Sequence, residues 1–219
     1  MSLSRQYSFW GSLSPLGGLT GAGLLIMASA RLSWAVTVAG SLFWVYGLSA
    51  FAYSFLLSML GKKFFPVKGR NTLYICLSAF FGSLYLFLFW ILCPFATLEV
   101  FMLLLLVPVF CASSGISNQI SIAYNNSHND LFEHVSDAIS QSISLAVLII
   151  AFSIIREPLS YCCLSFPGSY QGMITIMYFS ENVFFPISIF KHSAGALLLL
   201  AYIMCLYQHG RDKFNPGEY

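Results

Sequence analysis

Residues 77–92, LSAFFGSLYLFLFWIL, contain no charged side chain, and residues 194–207, AGALLLLAYIMCLY, repeat the pattern near the other end of the chain. A bilayer core about 30 Å thick is crossed by roughly 20 such residues wound as a helix. Within lipid every backbone N–H and C=O must be paired inside the chain, which leaves helices or a closed barrel. The long unbroken apolar runs lack the strict alternation of a barrel strand. The expected fold is therefore all-α, a polytopic membrane protein.

Composition supports this. The 219 residues are 58% hydrophobic and 8% charged, against roughly 25% charged in a soluble domain. Too little charge remains to cover a water-facing surface. A formal charge of +2 with no basic block excludes a nucleic-acid binder. Six scattered cysteines, four of them inside or next to apolar runs, do not form the disulfide framework of a small secreted domain.

About six transmembrane spans are predicted, near 10–30, 34–60, 72–92, 96–116, 135–156 and 193–208, within a single membrane domain covering 1–219. The connection 157–192 holds a semi-apolar piece, GMITIMYF, too short to span and expected to lie at the interface or re-enter. The first span follows Arg5 and ends at Ala28-Ser29-Ala30, the outline of a cleavable signal, but it is long, glycine-rich and broken by Pro15, and further spans follow. It is read as a span. Seven of the ten Lys and Arg residues (Arg5, Lys62, Lys63, Lys68, Arg70, Arg211 and Lys213) fall on one side of this topology. Both termini are therefore expected in the cytoplasm.

Spans one and four each contain proline among small residues, LSPLGGLTGAG around Ser14 and Pro15 and VPVFCASSG from Val107 to Gly115 around Pro108. Proline removes a backbone donor, and small residues allow close backbone approach. Two interrupted spans in corresponding positions of half-repeats, about 1–92 and 93–219, suggest a 3+3 inverted repeat with broken helices one and four meeting near the midplane. Kinked helices with close packing are the plainer alternative.

Three further places attract notice. Glu99 lies one turn beyond Pro94, where an ionisable group is either a functional candidate at depth or a headgroup-level residue. Arg156 and Glu157 close the fifth span, where such a pair can bond exposed carbonyls, anchor the helix at the interface and pair with neighbours, with Pro158 enforcing the exit. An exposed pair of that kind contributes ~0–1 kcal/mol. His128, Asp130, Glu133 and His134 lie in a polar loop, 117–134, without recognised metal spacing, and a solvated loop is the better reading.

From Lys63 to Gly168 the order of elements resembles the homologous integral subunits (RnfA/RnfE and NqrD/NqrE type) of the Rnf and Na⁺-translocating NADH:quinone oxidoreductase (Nqr) complexes. The matching features are the basic, proline-containing KKFFPVKGR, Pro94 ending span three, Cys111 and Gly115 in span four, and Ala123-Tyr124-Asn125. The family's Ile-Arg-Glu-x-Leu-Gly-x-Gly-x-Leu pattern stands against residues 155–164, Ile-Arg-Glu-Pro-Leu-Ser-Tyr-Cys-Cys-Leu, where cysteine falls at a family glycine.

The resemblance implies a bacterial inner-membrane subunit that pairs with a homologous partner and with other subunits of a redox complex. It implies a [2Fe-2S] cluster shared between the two homologues, with Cys111 as this chain's iron ligand. Electrons would cross the membrane coupled to Na⁺ or H⁺ movement. The family's span-one cysteine is Ser14 here, the asparagine before the span-four cysteine is Phe110, and an acid of span three is apolar near Leu86. Cys93, beside Pro94, is the one cysteine considered as a substitute ligand. Ser14, Pro15, Glu99, Pro108, Gly115, Arg156 and Glu157 are candidate helix-break and coupling positions.

Two other classes compete. A solute transporter would use the interrupted helices as a substrate site, and a structural subunit would pack against catalytic partners. There is no G-x-G-x-x-G nucleotide motif and no phosphate-binding loop.

Overall fold

A computed structural model describes residues 15–64, 67–114, 130–168, 173–179 and 187–214. The described chain is mostly helical. Its helices are α1 (Pro15–Ala28), α2 (Leu32–Phe64), α3 (Val67–Leu92), α4 (Pro94–Ser113), α5 (Asp130–Tyr161) and α6 (Ser193–Phe214). Four of them are long and apolar enough to cross a membrane, over Leu32–Met59, Gly69–Leu92, Pro94–Ser113 and Ala138–Tyr161. The apolar part of α6 is shorter, Ser193–Ile203.

The connection 157–192 holds structure that a count of spans leaves out. It holds a two-stranded antiparallel hairpin, β1 (Cys163–Pro167) and β2 (Met173–Tyr178), followed by a 3₁₀ turn at Ser188–Lys191. The strands pair from Cys163 opposite Tyr178 to Pro167 opposite Met173, with an irregularity between Leu164 and Ser165. The described chain is mostly helical, as expected, with this one short hairpin added. The β-branched MITI run supplies a strand preference that counting spans does not register.

The centre of the bundle is α2, which packs along α5, α3 and α4. Its buried small polar residues Ser33, Thr37, Ser41 and Ser49 permit close approach. The Thr37 and Ser41 hydroxyls are satisfied within the helix, donating back to the carbonyls of Trp34 and Val38 at 2.9 and 2.8 Å. Helix α3 instead turns Phe80, Phe87, Trp90 and Ile91 outward, as a helix against lipid does.

Connections alternate. The turn 29–31, the junction at Cys93 and the hairpin sit at one end of the bundle, here the hairpin end, and the helix ends at Phe64, Val67, Ser113 and Asp130 sit at the other.

Pro108 and Pro158 differ from expectation. Pro15 is the first described residue of α1, and Ser14 lies outside the described residues. Helix α4 runs through Pro108 without a break. Its ring seats against Gly82 of α3, where an added Cβ would come within 2.9 Å of Pro108 Cγ. Pro108 also lines an apolar lateral groove of about 380 Å³ with Ile75, Ser78, Ala79 and Val109. Helix α5 likewise continues past Pro158 to Tyr161, so this proline does not end it.

Candidate functional site: a buried Arg-Glu latch and an enclosed thiol

Helices α1 and α2 are joined by three residues, so the C-terminal carbonyls of one and the N-terminal amides of the other lie side by side. Those groups have no partners within their own helices. Their dipole ends carry roughly −0.5 and +0.5 of an elementary charge. Opposite this junction α5 presents Arg156 and Glu157.

Each side chain meets the end of opposite sign. Arg156 Nη1 donates to the Ile26 carbonyl at 2.6 Å and to Ser29 Oγ at 3.1 Å. Its Nε donates to the Phe190 carbonyl at 2.9 Å, and Nη2 reaches the Lys191 and His192 carbonyls at 3.5 and 3.3 Å. Glu157 Oε2 accepts the Leu32 amide at 2.9 Å and the Ser165 amide at 3.1 Å. Its Oε1 accepts the Ser165 hydroxyl at 2.5 Å.

Arg156 is 2% exposed and Glu157 1%. The expected exposed pair at a helix exit is corrected: both charges are buried and answered by peptide dipoles and hydroxyls. Burying an unanswered charge would cost several kcal/mol, so the partners are part of the design. Arg156 thus ties α1 to the 3₁₀ turn, and Glu157 ties α2 to β1.

Residue 162 follows directly. The chain must leave α5 and reverse into β1 so that Ser165 reaches Glu157, and Cys162 takes φ 52° to do it. This left-handed backbone favours glycine. Its amide closes on the Pro158 carbonyl at 3.0 Å, and its own carbonyl accepts the Phe179 amide at 2.8 Å. The neighbouring Cys163 thiol has its pKa raised by burial first and by the Glu157 carboxylate second, partly offset by Arg31.

Cys111 lies far from this latch, towards the other end of α4. Its sulfur is fully buried, 3.2 Å from the Tyr74 hydroxyl and 3.5 Å from Ser49 Oγ. Phe110 beside it packs on the Tyr46 ring, centroids 5.8 Å apart, and against Gly21 of α1. Among the described residues no group of three or more His, Cys, Asp or Glu side chains could hold a metal ion. Cys93 caps the start of α4, eighteen residues from Cys111. At 1.5 Å per residue that is about 27 Å, too far to share a ligand set. A cluster shared between two chains needs its thiolates at the surface between them, and this thiol is enclosed by its own bundle. Among the described residues the Cys111 side chain is held inside the bundle, away from its surface.

The other candidates are dispersed. Glu99 is exposed in the second turn of α4, where Oε2 accepts Trp34 Nε1–H at 3.3 Å. Gly115, His128 and the rest of 115–129 lie outside the described residues, while Asp130 already begins α5. The structure brings Arg156 and Glu157 together with Ser29, Leu32 and Ser165. The signal for this is the three-residue α1–α2 turn, which forces two helix ends together. Comparisons with known protein families, curated proteins and solved structures found no match.

Proposed function

We propose that this chain is an integral membrane subunit of a bacterial ion-translocating electron-transport complex of the Rnf and Nqr type, acting as a structural partner of the electron-carrying subunits. The observation carrying this reading is the latch. The stretch that resembles the family's Ile-Arg-Glu-x-Leu-Gly-x-Gly pattern is the stretch that fastens α1 and α2 to β1. At the second family glycine stands Cys162, in a backbone conformation that favours glycine. A glycine pattern and a left-handed turn at one position support a common architecture, here a six-helix 3+3 repeat with cytoplasmic termini.

Within such a complex the enclosed Cys111 favours a structural over a cluster-bearing role. A side chain with no surface to share cannot contribute to a group held between subunits. Coupling to Na⁺ or H⁺ movement would then belong to the assembled complex.

The test is co-purification of the chain with its membrane partners, with iron and acid-labile sulfide counts and the EPR spectrum of the reduced complex, for wild type and Cys111→Ser. Recovery in a redox complex whose spectrum is unchanged in the variant is expected. Loss of a [2Fe-2S] signal in Cys111→Ser would replace the structural role with a ligand role. Recovery as a lone chain carrying a bound solute would overturn the assignment in favour of transport.

A further inference from the structure

The latch accounts for Arg156 and Glu157 but leaves two other cations at the hairpin end unanswered. Arg31, half-buried in the α1–α2 turn, has its guanidinium carbon 4.9 Å from the Tyr161 ring centroid and 5.9 Å from that of Trp34. The exposed Lys191 brings its ammonium to 5.2 Å from the same Tyr161 ring. Three separate segments (the α1–α2 turn, the end of α5 and the 3₁₀ turn) therefore converge two positive charges on one aromatic side chain.

Arginine carries five N–H donors. The hydrogen bond made by Arg31 goes to the Met173 thioether at 2.9 Å, a weak acceptor. Among the described residues neither Arg31 nor Lys191 has a carboxylate partner. Among the described residues the acids facing this end are already committed, Glu157 to Leu32 and Ser165, and Glu99 to the Trp34 indole. Arg156 is spent on carbonyls. The aromatic rings leave the in-plane guanidinium donors without a strong acceptor, and an anion would supply one.

The level of the site identifies the anion. Arg31 immediately precedes a helix whose apolar, span-length stretch begins at Leu32, and Tyr161 is the last residue of another such stretch. Trp and Tyr at span ends lie at headgroup depth. Around them Ile174, Ile176, Met177, Ile187 and Ile189 are all exposed, an apolar collar suited to the upper acyl region.

We propose that Arg31 and Lys191, framed by Tyr161 and Trp34, form a binding site for the phosphate headgroup of an anionic phospholipid. Bidentate guanidinium–phosphate bonding gives the site its preference, and the lysine adds a second charge. The proposal uses only the membrane placement of the helices and is independent of any redox role.

The purified full chain is placed in nanodiscs of phosphatidylcholine alone or mixed with phosphatidylglycerol. The thermal midpoint and the lipid retained in native mass spectrometry are then read. Phosphatidylglycerol is expected to raise the midpoint of wild type and of a Lys62→Gln/Lys63→Gln control, whose charges lie at the opposite end. The gain should fall by at least half in Arg31→Gln and disappear in Arg31→Gln/Lys191→Gln, with retained phosphatidylglycerol down several-fold. Arg31→Lys keeps the cation but loses the bidentate fork, and should keep the gain only in part. An undiminished gain in the double variant would overturn the site, and an undiminished gain in Arg31→Lys would overturn the bidentate contact. The same gain from inorganic phosphate in phosphatidylcholine discs would overturn the lipid assignment.

Discussion

The Glu157 carboxylate accepts the first backbone N–H of α2, at Leu32, across 125 positions of sequence. Helix α2 is therefore capped by a side chain from a helix late in the chain, and its N-terminus is fixed only when α5 is in place. Hydrogen bonds to charged groups contribute about 1.5–3 kcal/mol. Glu157→Gln keeps an acceptor and should destabilise by about 1–2 kcal/mol, while Glu157→Ala strands the amides of Leu32 and Ser165 and should cost about 3 kcal/mol or more. Thermal unfolding in detergent checks the order; equal effects would mean that the carboxylate is not acting as a cap.

Arg156 is the counterpart, and its fork spans the Ile26 and Phe190 carbonyls. Arg156→Lys keeps the charge but supplies three donors from one point and cannot reach all of these carbonyls. It should lower stability by about 1–3 kcal/mol. Limited proteolysis should show α6 and the 3₁₀ turn loosened, because three of the carbonyls held by Arg156 belong to residues 190–192.

At Cys162 the φ of 52° gives a prediction of opposite sign for two substitutions. Cys162→Gly removes a backbone strain of about 1–3 kcal/mol and should leave stability unchanged or improved, even with the small thiol gone. Cys162→Val places a β-branched residue in the left-handed region and should cost about 2 kcal/mol or more. Denaturation midpoints of the two variants, compared with wild type, check this.

Two glycines should respond oppositely to alanine. At Gly82 a Cβ would come within 2.9 Å of the Pro108 ring, so Gly82→Ala should separate α3 from α4 and cost about 1–3 kcal/mol. At Gly23 nothing lies within 4 Å, and Gly23→Ala should gain about 0.5–1 kcal/mol of helix stability. Thermal scans of both variants read the difference.

The Cys163 thiol, held above its ordinary pKa by burial and by Glu157, should react slowly with a water-soluble maleimide at neutral pH. A raised pKa leaves less thiolate at a given pH, so the rate should climb about tenfold per pH unit. It should still be rising at a pH where an ordinary exposed thiol has levelled off. Glu157→Gln removes the like charge, lowers the pKa and should speed labelling at fixed pH. Mass spectrometry of the labelled peptide measures each rate.

The spans are readable because length and apolarity are local properties. The run 77–92 specifies a membrane helix whatever surrounds it, and it lies within α3. Pro15 and Pro108 look like breaks for the same local reason. A proline's effect depends on where the helix starts and on what lies against its ring, and Gly82 decides that for Pro108. The hairpin is hidden because its partners, Cys163 to Pro167 and Met173 to Tyr178, carry no alternating signal strong enough to outweigh the apolar context.

The sequence by itself determined a helical, membrane-embedded chain, since too few charges exist to hydrate its surface. It also marked Arg156-Glu157 as unusual. Only the tertiary structure decided that these charges are buried and what answers them, because the carbonyl of Ile26 and the amide of Leu32 are invisible in side-chain identity. Every residue has a backbone carbonyl, and only the helix ends that packing brings against α5 leave such groups free to bind a charge.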